Sequence, residues 1–357
     1  MSDSQPVISG QISPEESSLA AANSRLTFVA RRTREELRAL ALSDGPEREM
    51  LLANHPLNQR PVKVLTRSIR ETFLATCEAI KFKRPGCAFM ADCRVGKSTA
   101  AVMIKDKLPE SIPNVAYAIV SAKAHELVTE RVFWGDILIA LGLPIHGTAQ
   151  ERQERVRGAV ITSCIEADGT QFCLFIDEGQ NWKQKEFTLI RDLSNQLTEP
   201  DRYTFTTVTW GDLKLDELSA EFRVKRKDLW GRFLMKPAKF LGIRDLPDLQ
   251  FFLKEHDNLA RCEYPAGSGV SYTEFFMPKA YGTGWRLEHE ATALWNALVR
   301  AAAKVNREVA DVGMQWVGES VIHFLEAGMS ADTVGFKSAS TNWDEAVALS
   351  RFLDSLI

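Results

Sequence analysis

Four short apolar runs, 87–91 (CAFMA), 115–122 (VAYAIVSA), 171–177 (QFCLFID) and 203–210 (YTFTTVTW), alternate with stretches whose apolar residues recur at helical spacing. Those stretches cover 97–108, roughly 125–141, 148–167 and 185–198. Strand-length runs separated by helix-length patterns predict crossover connections, hence a parallel sheet covered by helices on both faces. Ahead of the first run, apolar positions at Val62, Val64, Leu65, Ile69, Phe73, Leu74 and Ile80 predict a further helix, stopped by Pro85 and Gly86. From about Pro237 the pattern turns mostly helical, through PDLQFFLKEHDNL, RLEHEATALWNALVRAAAKV and MQWVGESVIHFLEAGM, which predicts a smaller second domain.

The first strand runs into ADCRVGKST, residues 91–99, and this nearly matches the phosphate-binding pattern G-x-x-x-x-G-K-[ST]. Gly96, Lys97 and Ser98 are in place, while Ala91 stands where the first glycine is usual. A triphosphate is cradled by successive backbone N–H groups at a helix start, a lysine for the outer phosphates and a hydroxyl for magnesium. The loop Ala91, Cys93, Arg94, Val95, Gly96 would supply the cradle, with Lys97 on the β and γ phosphates, Ser98 on Mg2+ and Thr99 at the helix start. Alanine at 91 is compatible with this provided the backbone there keeps a negative φ. Asp92 is tolerable if it points to solvent. The competing reading is a chance G-K-S-T on a surface helix.

A second motif, FCLFIDEGQNW at 172–182, is an apolar strand ending in two adjacent carboxylates about 80 residues after the loop. Asp177 would hold Mg2+ through its water shell and Glu178 would polarise the attacking water. A plain acidic turn after a core strand is the bland alternative, and the two motifs together weigh against it.

On ADCRVGKST, LFIDEGQNW and the pieces below, residues 60 to 300 resemble the AAA+ ATPases, and within them the TnsC/TniB-type transposition regulators, relatives of the phage Mu B protein. The resemblance implies an ATPase that uses ATP and Mg2+ and assembles on double-stranded DNA as a homo-oligomeric ring or filament. It also implies recruitment of a transposase, with a target-selection protein or RNA-guided complex as a further partner, and disassembly on hydrolysis. By the same resemblance Thr209 in YTFTTVTWGDL is the candidate sensor 1, with Asp212 as the alternative. Arg232, followed by Phe233 ahead of the last core strand, is the candidate arginine finger, with Arg223 and Arg226 behind it. Arg286 in YGTGWR is the candidate sensor 2. Each has an ordinary reading too: strand-forming threonines, a solvated basic face, an arginine paired to Glu288 or Glu290.

Duplex binding needs cations on phosphates, and a net charge of -3 shows that only a local patch can provide them. Lys123, Lys183 and Lys185 follow the second and third strands, on loops that face the pore of an AAA+ ring, and are the DNA-binding candidates; solubilising surface lysines are the alternative. A different AAA+ use, serving a secretion or replication partner, would share every nucleotide residue. A non-hydrolysing scaffold and a small-molecule kinase fit less well, given intact Lys97, Ser98, Asp177 and Glu178 and the Arg232 and Arg286 pieces.

The organisation expected is a flexible tail at 1–24, an AAA+ α/β domain with a helical N-terminal extension at 25–236, a helical lid at 237–335 and a terminal helix in 336–357. The 23–42 segment mixes basic and apolar residues in the manner of an amphipathic helix. The terminal helix, carrying Trp343, Val347, Leu349, Phe352, Leu353 and Leu356, either caps the lid or hooks a partner. The polar, acidic start has no signal-peptide pattern and no apolar run approaches a bilayer span, so a cytoplasmic location without membrane is expected. Six scattered cysteines without a C-x-x-C pair suit neither zinc nor disulfides, and His125, His256 and His289 show no ligand spacing.

Overall fold

The computed structural model describes residues 32–59, 63–199 and 201–356. The tail expected at 1–24, the first part of the 23–42 segment and Val62 lie outside the described residues. The chain divides into two compact units, one of 63–253, Glu288–Phe324 and 337–356, the other of 32–59, Lys254–Leu287 and Leu325–Phe336. Among the described residues no helix is long and apolar enough to cross a membrane.

The larger unit holds five parallel strands in the order β2-β3-β4-β1-β5: β1 (Gly86–Ala91), β2 (Val115–Ser121), β3 (Gln171–Asp177), β4 (Thr204–Gly211) and β5 (Ala238–Phe240). The first four fall on the apolar runs. β5 has three residues, too few to show an alternation, and sits just where the sequence pattern turns helical. Both faces of the sheet are buried: Ala88, Met90, Leu174 and Ile176 enter one core, Phe89, Ala91, Cys173 and Phe175 the other. The second core is closed by α1 (Arg67–Lys81) and α2 (Lys97–Ser111), through Ile69, Ile80, Ala100 and Ile104. The first is closed by α3 (Glu130–Ala140), α4 (Ala149–Glu166), α5 (Gln184–Thr198) and α6 (Lys214–Lys225), through Trp134, Val160, Phe187 and Phe222.

Two helix starts differ from the periodicity, and a threonine cap decides each. Thr66 accepts the Ile69 N–H at 3.1 Å, so α1 begins at Arg67 and leaves Val64 and Leu65 ahead of it. Thr129 accepts the Val132 N–H at 3.2 Å, so α3 begins at Glu130 and 122–129 remains a loop. Helices α7 (Ala291–Ala303), α8 (Met314–Ser330), which begins in this unit, and α9 (Ser340–Leu349) also belong here. The terminal helix packs on the body of this unit. Trp343 is fully buried, stacks on Phe324 with ring centroids 3.8 Å apart and donates its indole N–H to Glu290 at 3.0 Å. Leu349 remains 62% exposed.

The smaller unit is organised around a histidine. His55 is fully buried among Tyr264, Tyr272, Phe275 and Phe276, whose ring centroids lie 4.7–4.8 Å away. Its Nδ1 accepts the Leu57 N–H at 3.2 Å, so the ring is the neutral tautomer with its proton on Nε2. Burial, reinforced by nearby His256, pushes the His55 imidazole down from 6.5 to about 3. The unfolded chain therefore binds more protons than the folded one between these values, and stability present above pH 6.5 is lost as pH falls. At pH 5 the expected loss is about 2 kcal/mol from this group alone. Denaturant unfolding at pH 7.5 and pH 5 measures it, and His55→Leu should flatten the slope by that amount; an unchanged slope would show that His55 titrates normally.

Candidate active site

In a sheet buried on both faces, polar groups collect at the carboxyl ends of the strands. β1 delivers the phosphate loop there and β3 delivers Asp177 and Glu178. β4 lies between them and sets the two strands about 10 Å apart, a gap that one long side chain spans. Lys97, the first residue of α2, reaches across and its Nζ lies 2.5 Å from Glu178 Oε1.

The loop is shaped by local rules. Ala91 is the last residue of β1, paired with Phe240 and 2% exposed, so its backbone is ordinary extended strand and no glycine is required. Asp92 is exposed and turns its carboxylate back onto the Cys93 N–H at 2.6 Å. Val95, 3% exposed, pins the loop into the core. Gly96 has φ 95° and caps α2, a conformation in which a side chain is strained. Arg94 also has positive φ, 65°. Its carbonyl accepts the Gln315 N–H at 3.3 Å and its guanidinium lies 5.0 Å from the Trp316 ring centroid. The start of α8 therefore packs on the phosphate loop, a contact between segments too distant in the chain for any local pattern to announce.

Glu178 sits in the left-handed region at φ 57°, ψ 37°. A non-glycine residue held there costs on the order of 1–2 kcal/mol, and such outliers gather at functional sites. The turn that holds it depends on close approach. A Cβ on Gly179 would lie 2.4 Å from Thr209 Cγ2, and one on Gly211 would lie 2.7 Å from Gln180 Oε1. Gln180, which the sequence motif contains without marking, donates its Nε2 to Glu178 Oε2 at 2.5 Å and accepts the Asp212 N–H on Oε1 at 3.0 Å. Partial burial pushes the Glu178 carboxyl up, but Lys97 and Gln180 outweigh it and hold the group below the ordinary glutamate range. Glu178 is thus a carboxylate at neutral pH.

The other candidates fall in different places. Thr209 is fully buried in β4 between Ala88 and Ile176, and its hydroxyl has no hydrogen-bond partner among the described residues; Asp212 caps Lys214 at the exit of the same strand. Arg232 lies in a π-helical turn, Trp230–Leu234, and donates to Asn195 Oδ1 at 2.8 Å. Its carbonyl is packed against Gly86, the first residue of β1, whereas the phosphate loop leaves the far end of that six-residue strand, about 17 Å away. Arg232 cannot serve the phosphate loop of its own chain. Arg226 is engaged by Asp228, and Arg223 lies 5.9 Å from the Trp230 ring centroid. Arg286 belongs to the smaller unit, where its guanidinium covers Tyr281 at 3.6 Å and donates to the carbonyls of Tyr281 and Trp285.

Lys123, Lys183 and Lys185 are all exposed at the carboxyl end of the sheet. Lys123 pairs with Asp136 at 2.8 Å, sharing that carboxylate with His125, and Lys185 donates to the Val128 carbonyl at 2.7 Å. Asn181 donates to the Ala122 carbonyl at 3.0 Å, which ties the loops after β2 and β3 together.

The donor set fits a nucleotide with its metal: backbone N–H groups at a helix start, the Lys97 ammonium, the exposed Ser98 hydroxyl and the half-buried Asp177 carboxylate suit phosphates and a hard cation. Sheet order, phosphate loop and paired carboxylates define a P-loop nucleotide-binding domain of the AAA+ fold. The sequence agrees, for residues 82–218, less than half of the chain, match the family model described as AAA domain. Among solved structures the chain is similar to the Aeropyrum pernix ORC2 protein in its ADPNP–ADP complexes, with TM-score 0.55 and 11% identity over 83% of this chain and 71% of that one. The ADP form of ORC2 gives TM-score 0.50 and 12% identity, over 82% and 70%. At such identities the likeness is one of fold. No curated protein matches the chain in sequence.

Because Ala91 is plain strand, restoring the usual glycine should gain nothing. Ala91→Gly is expected to leave affinity for a fluorescent nucleotide within about twofold while costing about 0.5–1 kcal/mol of stability, as glycine in a strand does. A large gain in affinity would show that alanine impairs the loop.

Proposed function

We propose that this chain is an ATP-dependent DNA-binding ATPase of the transposition-regulator kind, which assembles on duplex DNA, recruits transposase and is released by hydrolysis. The observation that carries the ATPase reading is the Lys97–Glu178 pair, made across β4 by a lysine of the phosphate loop and a carboxylate held in a strained turn. Binding of the triphosphate draws Lys97 off Glu178 and onto the β and γ phosphates. Glu178, its carboxylate then open on one oxygen, accepts the proton of the attacking water. Magnesium, for which Ser98 and Asp177 are the protein's donors, supplies neutralisation of phosphate charge. Thr209 or Asp212 would report on the γ-phosphate from β4. Arg232 of a neighbouring copy would neutralise charge developing on the phosphates, consistent with its place at the wrong end of its own sheet.

The DNA reading is supported by Lys123, Lys183 and Lys185 emerging together on linked loops. Lys123 must exchange Asp136 for a phosphate, so each copy contributes weakly and assembly multiplies the attraction. The transposition role is supported by the resemblance of the two nucleotide motifs, and the target-selection partner follows from it.

Electron microscopy of the protein with long duplex DNA, with ATP, without nucleotide and with Lys97→Ala tests the assembly. Rings or filaments that require both ATP and Lys97 are expected; free particles throughout, alongside ATP turnover, would move the reading to an ATPase serving a secretion or replication partner. Glu178→Gln should retain nucleotide and lose turnover by about 100-fold or more. Replacing Lys123, Lys183 and Lys185 together should weaken DNA binding irrespective of sequence and flatten its salt dependence, by about 1 in log–log slope for each DNA phosphate no longer neutralised.

A further inference from the structure

Gln180 makes one hydrogen bond at each end of its amide, and the chemistry of its partners fixes which end is which. The Asp212 group is a backbone N–H, which only Oε1 can accept; the Glu178 group is a carboxylate, which only Nε2 can serve. The amide thus spans from the exit of β4 to the carboxylate beside the phosphate loop. Gly211 leaves the room for it, since a Cβ there would lie 2.7 Å from Gln180 Oε1 and 3.0 Å from Leu215 Cβ. Glu178 is held from two sides, Oε1 by Lys97 and Oε2 by Gln180, while its own N–H donates to Asp177 at 3.0 Å.

We infer that Gln180 is a positioning residue, whose amide keeps the Glu178 carboxylate aimed once Lys97 has left it for phosphate. This rests on the reading of Glu178 as the base. Of the two groups gripping the carboxylate, Lys97 is the one the nucleotide removes, and an unrestrained glutamate would then sample rotamers that do not face the water. Gln180 is anchored on the backbone at the exit of β4, not on the phosphate loop, so its grip does not depend on Lys97 and the orientation survives the exchange. Because the anchor is the strand that carries Thr209, any shift of its exit reaches Glu178 through one side chain.

A purely structural role, pinning the turn to β4, predicts a different pattern of variants from a positioning role. Gln180→Glu keeps an acceptor for the Asp212 N–H but presents a negative charge to Glu178; Gln180→Ala removes both bonds. Steady-state ATP turnover of the full chain, nucleotide affinity from fluorescent ADP, and hydrogen exchange at the Asp212 amide of the nucleotide-free protein separate the two roles. The expected result for Gln180→Glu is a protected Asp212 amide, nucleotide affinity within about twofold, and kcat down roughly 10- to 100-fold, part of what a positioned base contributes. Gln180→Ala should lose a similar factor in kcat and expose the amide. In a Glu178→Gln background Gln180→Ala should cost nothing further, because the group it aims is already gone.

Gln180→Glu turning over at the wild-type rate, with Glu178→Gln inactive, would overturn the positioning role and leave the base assignment standing. Glu178→Gln turning over like the wild type would overturn the base assignment and the inference with it.

Discussion

A strand buried on both faces has only its ends left for charge, and β1, β3 and β4 are such strands. Every apolar residue that alternates between the two cores along them removes a place where a charge could sit. What remains is the carboxyl edge, where the order β3-β4-β1 places two motif-bearing strands one strand apart. The gap is too wide for direct contact between loops and right for a lysine. Hence the ion pair of Lys97 and Glu178, the strained turn at Glu178 and the bridging amide of Gln180 all answer one geometric condition, the interposed β4.

Much of this was legible in the sequence because the signals are local. The four longer strands announced themselves as apolar runs between helical patterns, and the phosphate loop and acidic strand end by spacing. Thr66 and Thr129 shifted two helix starts that periodicity alone placed too early, since a cap overrides the pattern it precedes. β5 escaped because three residues carry no period. The parts that stayed hidden are contacts between remote segments: the packing of Met314 and Trp316 on the loop, the bond from Gln180 to the Asp212 backbone, the sharing of Asp136 by Lys123 and His125. A glutamine inside a motif looks like any other surface glutamine until the strand opposite is in place.

The unusual alanine illustrates how a motif letter can be read physically. A glycine is demanded where φ is positive or where another chain segment presses on Cα. Gly96 meets the first condition, and Gly179 and Gly211 meet the second. Ala91, extended and paired in the sheet, meets neither, so the departure from the pattern falls on a position where the backbone makes no demand.

The position of Arg232 carries a consequence for kinetics. An arginine seated at the amino end of the sheet, beside Gly86, is separated from its own phosphate loop by the length of β1. On the proposed reading a complete reaction centre is then shared property, half from each of two copies, and a solitary chain holds nucleotide without consuming it efficiently. Specific activity becomes a function of protein concentration, and a surface that gathers copies side by side acts as an activator simply by crowding them. A long polyanion would then govern the lifetime of bound ATP without touching the nucleotide.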